Sequence, residues 1–220
     1  MATWRPIVPA VVALAAVVGI RQAEVGGRPA APQIARPTLT KAVERAGLRF
    51  APTVAPADRQ LVLDAIAGAR PEARQLVDVV DGLVTVDVGS LRAGEADAIG
   101  LARGGPNGFE LTLDLRSAWQ AAGSRGIARL VLHELGHVVD AMIVPPGLDA
   151  ALDAEIPRGY GCDASEPTGA CAPPKERFAE TFAKWATGDI GLNVPLGYKV
   201  LPPDSLEDWG AQLVRGARTG

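Results

Sequence analysis

The sequence His133-Glu134-Leu135-Gly136-His137 constrains this chain more than any other stretch. It has the form HExxH, and it contains both histidines of the 220-residue chain. Residues four apart on an α-helix lie one turn apart on the same face, so a helix here directs two imidazoles toward one point. Imidazole pairs of this kind bind a metal ion, most often zinc. Glu134 lies about 100° around the same helix, within reach of a water on that metal.

The residues around the motif predict that it lies on a buried helix. Residues 125–143 contain no proline, Ser124 is a suitable N-cap, and Pro145-Pro146 end the helix. Apolar residues form two stripes that cover most of its surface. A buried helix that keeps two histidines, Glu134 and Asp140 needs polar partners for them. The alternative is a core helix whose histidines are only hydrogen-bonded.

A catalytic zinc site usually has three protein ligands, and a second helix offers the third. The stretch opened by Pro173-Pro174 and closed by Gly188 predicts a helix with Glu176 and Glu180 on one face. We expect Glu176 to bind the metal and Glu180 to accept a hydrogen bond from the free N–H of a ligand histidine. The alternative is a solvated acidic face on which Glu180 pairs with Lys184.

Asp140 and Ile143 limit the other choices for a third ligand. Isoleucine at position 143 excludes the extended motif, which has a third histidine there. Asp140 lies one turn beyond His137, on roughly the same face. Its short side chain favours contact with a ligand over contact with the metal itself. We therefore expect Asp140 to support the ligands.

The two helices together resemble the lethal-factor-type zinc peptidases, which include the catalytic domain of anthrax lethal factor and the secreted Pro-Pro endopeptidases. The sequences HELGHVVD at residues 133–140 and ERFAETF at residues 176–182 carry the resemblance, which spans about residues 98–190. It implies a zincin-like fold and one zinc ion. The family's functional positions match the zinc ligands His133, His137 and Glu176, the base Glu134, and Glu180 behind the ligands.

The family also has a catalytic tyrosine followed by glycine, shortly before the third ligand. Tyr160-Gly161 is the only match upstream of Glu176, and the resemblance implies that Tyr160 donates a hydrogen bond to the developing oxyanion. The interval is longer than in the family and contains Cys162 and Cys171. In an exported chain these cysteines predict a disulfide that closes the inserted loop. The alternatives are a Tyr160 that packs on the disulfide, and cysteines that bind a metal.

The N-terminal sequence indicates export. Residues 7–20 form an unbroken apolar run after Arg5, which is short for a bilayer-spanning helix but normal for a signal peptide. We expect residues 1–25 to be a signal peptide or an uncleaved membrane anchor, and the protein to be secreted or anchored facing outside. Residues 26–56 are proline-rich and predict a spacer, which leaves 57–220 as the zinc-binding domain.

Apolar patterns in the rest of the chain predict an α+β fold. A helix from Ala57 to about Ala69 precedes the strands, and a mainly helical half follows the HExxH helix. Short strands are predicted at residues 76–80 or 83–88, 98–102 and 109–115. We expect a small, mostly antiparallel sheet. Phe109–Leu115 is the candidate edge strand for an extended peptide, and the alternative is an ordinary sheet edge.

These features predict a zinc-dependent endopeptidase in which Glu134 moves a proton from a zinc-activated water to the leaving amine. The expected partner is a peptide or protein substrate, and the chain is expected to be monomeric. The net charge of −3 gives no reason to expect nucleic acid. Two other classes stay open: a module that binds a peptide or cell-wall polymer without cleaving it, and a zinc hydrolase of a non-peptide substrate.

Overall fold

The computed structural model describes residues 47–91, 98–105, 107–158, 172–191 and 199–219. Within these ranges the chain forms six α-helices and one four-stranded sheet. The strands are β1 (Arg49–Phe50), β2 (Val84–Val88), β3 (Gly100–Gly105) and β4 (Gly108–Leu113). The helices are α1 (Pro56–Ala67), α2 (Pro71–Val80), α3 (Leu115–Ile143), α4 (Pro146–Glu155), α5 (Pro174–Thr187) and α6 (Leu206–Thr219). The predicted mixture of helices with a small sheet, followed by a helical half, is confirmed.

The sheet has the order β1-β2-β4-β3, and the prediction of a mostly antiparallel sheet is wrong. β2 pairs in parallel with both β1 and β4, and in the described sheet only β3 and β4 run antiparallel. The chain leaves β2, forms β3 at the edge, and returns through a tight hairpin to place β4 beside β2. β4 can run parallel to β2 because β3, which runs in the opposite direction, carries the chain back to the end of the sheet at which β2 begins.

The strand order also overturns the choice of Phe109–Leu115 as an edge strand. These residues mostly form β4, which lies between β2 and β3. The edge strands of the described sheet are β1 and β3, and β3 packs against α3. Of the two alternatives for the first strand, residues 76–80 belong to α2, whereas residues 83–88 correspond to β2.

Proline begins four of the six described helices, namely α1, α2, α4 and α5. Proline suits the first helical position because its φ is already near the helical value and its missing N–H would have no partner within the helix. α5 ends at Gly188, whose φ of +69° is the left-handed conformation that glycine favours. The predicted boundaries of α5, Pro173-Pro174 and Gly188, are confirmed.

α3 is divided by a kink into a short first part and the HExxH helix. Asp114 caps the start of α3 by accepting a hydrogen bond from the Ser117 N–H at 2.9 Å. Gly123 has φ +60° and ψ −141°, which breaks the helical path at Ala122–Gly123. The HExxH helix, predicted to begin after Ser124, therefore follows directly on an earlier helical segment. α3 ends at Ile143, just before the two prolines.

Aromatic side chains fix α5 against the helices that surround it. Phe178 and Phe182 stack with ring centroids 6.5 Å apart, and Trp209 of α6 lies 5.4 Å from Phe178 and 6.3 Å from Trp185. The Trp209 Nε1–H donates a hydrogen bond to the Leu152 carbonyl of α4 at 3.3 Å. All four rings are buried. The predicted apolar face of α5 thus packs on α4 and α6, and Phe182 and Ala179 also meet Gly136 of α3.

Several predicted features fall partly or wholly outside the described residues. These are the signal peptide or anchor at 1–25, most of the spacer at 26–56, and Tyr160, Cys162 and Cys171. Arg49–Phe50, at the end of the predicted spacer, pairs with β2 and so belongs to the sheet. No helix in the described part of the chain combines the length and apolar character needed to cross a membrane.

Candidate metal centre

α3 and α5 bring His133, His137 and Glu176 together, with one ligand atom from each within 4.8 Å of the others. His133 Nε2 lies 3.1 Å from Glu176 Oε2, and His137 Nε2 lies 3.4 Å from Glu176 Oε1. Tetrahedral ligands about 2.1 Å from a zinc ion are about 3.4 Å apart. The observed separations are close to that value, so these three residues can hold a metal ion.

Glu176 provides a second observation that fits a cation at this point. Its side chain is only 3 % exposed, and Oε1 has no hydrogen-bond partner among the described residues. Leaving a buried polar atom without a partner costs about 1–3 kcal/mol, and more for a charged group. A cation between the two imidazoles and this carboxylate would satisfy that oxygen. Two imidazole nitrogens and one carboxylate oxygen are a common donor set for zinc.

The α3–α5 interface contains two facing stripes of polar side chains, each with a spacing of four residues. The stripe on α3 consists of Arg125, Arg129, His133 and His137, and the stripe on α5 consists of Glu176, Glu180 and Lys184. The two helices pack antiparallel, so residues late in α3 contact residues early in α5. His137 meets Glu176, Arg129 meets Glu180, and Arg125 meets Asp189 just beyond α5. Antiparallel packing thus gives every member of the α3 stripe an acidic neighbour.

Glu180 lies behind the ligands and contacts both helices. Its Oε2 is 3.2 Å from His133 Nδ1, and its Oε1 accepts a hydrogen bond from Lys184 Nζ at 3.1 Å. The two sequence interpretations of Glu180 therefore describe contacts that occur together. Glu176 and Glu180 are both buried, which excludes a solvated acidic face. Glu180 can accept a hydrogen bond from His133 Nδ1 and so leave Nε2 free for a metal.

The sequence interpretation missed Arg129, which is 4 % exposed and forms an ion pair with Glu180. Its Nε donates to Glu180 Oε1 at 3.2 Å. The available signal was spacing, because Arg129 lies one helical turn before His133 and therefore on the same face. A buried arginine at that position requires an acidic partner, and the α5 stripe supplies it.

Glu134 is buried between α3 and the edge strand β3. Its side chain touches Gly100, where a Cβ would collide with Glu134 Oε1. Burial raises the pKa of Glu134, and the negative charge of Glu176 adds to that rise, while the two histidines oppose it. A raised pKa makes a carboxylate a stronger base, which suits a group that must accept a proton.

The pKa values of the metal-free site reflect strong coupling between histidine and carboxylate. Burial lowers the pKa of His133, but hydrogen bonds to Glu176 and Glu180 outweigh burial and raise it to about 10. Burial would raise the pKa of each of these two carboxyls, yet the contact with His133 holds both below their ordinary range. His133 thus contacts Glu176 through Nε2 and Glu180 through Nδ1.

Asp140 stands apart from the group formed by His133, His137 and Glu176. It is half-buried, and burial together with the neighbouring Asp149 raises its pKa to about 6. The positive charges of Lys175 and His137 oppose that rise. Its predicted role in supporting the ligands stays a prediction.

Fold and site together define a helix–sheet protein with an HExxH…E group on two packed helices. No protein-family model matches the chain, and neither the curated proteins nor the solved structures yield a match. The resemblance to the lethal-factor-type zinc peptidases therefore rests on the two motifs and stays a prediction.

Proposed function

We propose that this chain is a zinc-dependent endopeptidase that resembles the lethal-factor-type zinc peptidases. The observation that supports it most is the convergence of His133, His137 and Glu176, with Glu134 of the same motif buried against β3. Two helices built only for packing have no reason to bring four polar side chains, three from α3 and one from α5, to one mostly buried point.

Each residue of the group has a distinct role in this proposal. His133, His137 and Glu176 hold the ion. When bound, zinc lowers the pKa of a water molecule to about 7 and polarises a carbonyl group. Glu134 accepts the proton of the attacking water and passes it to the leaving amine, a task suited to its raised pKa. A silent binding module would not need Glu134.

An extended peptide is the substrate class that suits the edge strand. In the described sheet β3 pairs on one side only, with β4, and a substrate peptide would form its main-chain hydrogen bonds along the other edge. Gly100, Gly104 and Gly105 lack side chains, which allows a second backbone to approach closely. Since Gly100 touches Glu134, a peptide on this edge would pass beside the proposed base.

Export completes the proposal. Residues 1–25 would either direct the chain out of the cytoplasm or anchor it in the membrane with its domain facing outside. The Cys162–Cys171 disulfide would form outside the cytoplasm. Tyr160 would donate a hydrogen bond to the oxyanion, as the family resemblance implies. A monomer is sufficient, because one chain supplies every proposed residue.

The test combines metal analysis with cleavage of a peptide library by the same purified sample. We expect about one zinc per chain, cleavage that stops when zinc is removed, and its recovery when zinc returns. Glu134→Gln should keep zinc and lose cleavage. Cleavage that survives both zinc removal and Glu134→Gln would overturn the proposal. Zinc-dependent peptide binding without cleavage would instead favour the binding module.

A further inference from the structure

The two carboxylate oxygens of Glu180 face different partners. Oε2 lies 3.2 Å from His133 Nδ1. Oε1 accepts hydrogen bonds from two cations, Lys184 Nζ at 3.1 Å and the Arg129 guanidinium through Nε at 3.2 Å and through Nη2. Three donors on one oxygen leave the carboxylate little freedom to rotate. Its other oxygen is thereby directed at the imidazole.

Both cations are themselves held at a second point. Arg129 Nη1 donates to the Asp189 carbonyl at 2.7 Å, and Lys184 Nζ donates to the Val200 carbonyl at 2.6 Å. Both side chains are buried, and that of Lys184 is 0 % exposed. Through these two cations Glu180 is connected to the protein backbone at residues 189 and 200.

The cluster contains two cations, Arg129 and Lys184, and the charges of the neighbouring carboxylates give a reason for both. The two positive charges of Arg129 and Lys184 match the two negative charges of Glu180 and Glu176. A histidine that binds a metal must be neutral, so in the zinc-loaded site these two cations offset the carboxylates without a charge on an imidazole. Burying four charges is costly, and well-packed apolar residues are often as stable. Fold stability alone therefore does not account for this cluster.

We propose that Arg129 and Lys184 are positioning residues for the metal ligand His133 and that they act through Glu180. They hold Glu180 so that Oε2 receives the Nδ1–H of His133, which fixes the tautomer whose Nε2 lone pair points at the metal. This inference rests on the metal centre of the proposed function, but it does not depend on peptide cleavage.

A double-mutant cycle on zinc affinity tests whether Arg129 acts through Glu180. Changes behind a metal ligand typically weaken metal binding about 10- to 100-fold, so Arg129→Gln and Glu180→Gln should each do so. The double variant should bind zinc no more weakly than Glu180→Gln alone, since the mediator is already lost. Additive losses, with Arg129→Gln costing the same factor in both backgrounds, would overturn the inference.

Arg125→Gln is the matched control. Arg125 lies on the same stripe of α3 and pairs with Asp189 at 2.8 Å, but it does not touch Glu180 and its side chain is 59 % exposed. Zinc affinity should change far less in this variant than in Arg129→Gln, because Arg129 is held by the backbone carbonyl of Asp189 and Arg125 by its side chain. Should Arg129→Gln fail to fold, Arg129→Lys replaces it in the cycle, because lysine keeps the charge. Its loss should be smaller and equally non-additive.

Nuclear magnetic resonance measures a property of His133 that would not change if Arg129 and Lys184 only stabilised the fold. The chain has two histidines, so ¹⁵N-histidine labelling gives only two imidazole patterns. In zinc-loaded parent protein the Nδ1–H of His133 should exchange slowly with water. In Lys184→Met and Arg129→Gln it should exchange faster. Unchanged exchange and affinity in both folded variants would refute the inference.

The same measurements separate this inference from the proposed function. If the parent protein binds zinc but cleaves no peptide, the proposed peptidase function is wrong. The double-mutant cycle on zinc affinity still tests the positioning role in that case. A parent that binds zinc with an additive cycle would overturn the positioning role alone. A parent without zinc affinity would overturn both.

Discussion

Gly136 of α3 lies directly against Ala179 of α5, so that a Cβ at position 136 would be 3.0 Å from the Ala179 Cα. Gly136 is the residue before the ligand His137, and Ala179 lies between Glu176 and Glu180. The close approach of two small residues therefore sets the distance across which the histidines of α3 meet the glutamate of α5.

Gly136→Val should force the two helices apart. Overpacking of this kind costs about 1–3 kcal/mol of stability, and the three ligand atoms should no longer converge. We expect a lower melting temperature and a large loss of zinc affinity, measured by thermal unfolding with and without a chelator. Gly147→Ala on α4 is the control, because nothing lies within 4 Å of a Cβ there. Unchanged zinc affinity in Gly136→Val would contradict the geometry.

Gly100→Val should displace Glu134 and spare the metal ligands. The side chain would occupy the position of Glu134 Oε1, so the proposed base would have to turn away. Turnover should fall by about 100-fold or more, the usual contribution of a positioned base, while zinc content is retained. Gly104→Ala on the same strand is the control, since its Cβ would lie 3.4 Å from the Phe109 ring. Parental turnover in Gly100→Val would argue against Glu134 as the base.

Zinc affinity should rise with pH. His133 has a pKa raised from 6.5 to about 10 in the metal-free site, so at pH 7 it carries a proton that zinc must displace. Each displaced proton changes the affinity by up to about tenfold per pH unit. Calorimetric titrations in two buffers with different ionisation enthalpies count the protons released. Binding without proton release at pH 7 would contradict the prediction.

The raised pKa of His133 also predicts how the stability of the protein without zinc depends on pH. A raised pKa stabilises the fold below the unfolded value of 6.5, and that contribution is lost as the pH rises through about 10. Metal-free protein should therefore lose stability between those limits. Zinc-loaded protein should not, because its His133 carries no proton there.

Tyr160→Phe should lower turnover and keep zinc. Losing one donor to an oxyanion typically costs about 100- to 1000-fold in rate, whereas Tyr160 is not among the proposed ligands. The measurement is peptide hydrolysis at matched zinc content. Parental rates would show that the match to the family's tyrosine is accidental and that Tyr160 has another role.

Features governed by short-range rules could be predicted from the sequence. Proline at the first helical position and glycine in the left-handed conformation mark α5 by local geometry alone. The facing of His133 and His137 follows from helical periodicity within one segment. Glu176 could be proposed as a metal ligand because a catalytic zinc site usually has three protein ligands and the HExxH motif supplies two.

Features that depend on neighbours distant in the chain could not be predicted. Alternation in Phe109–Leu115 shows which face is buried, but it is the same for a central strand and an edge strand. The insertion of β4 between β2 and β3 therefore had no local signal. Arg129 was missed for a related reason, because its partner Glu180 lies 51 residues away along the chain.

The packing of Trp209 on Phe178 and Trp185 couples the metal centre to the order in which the chain is made. All three proposed ligands precede α6 in the sequence, yet α6 covers the face of α5 opposite α3. A nascent chain that has reached Glu176 but not Trp209 therefore holds every ligand while a broad aromatic surface of α5 stays bare. Competence to hold the ion should appear only after residues 206–219 have been synthesised and have docked.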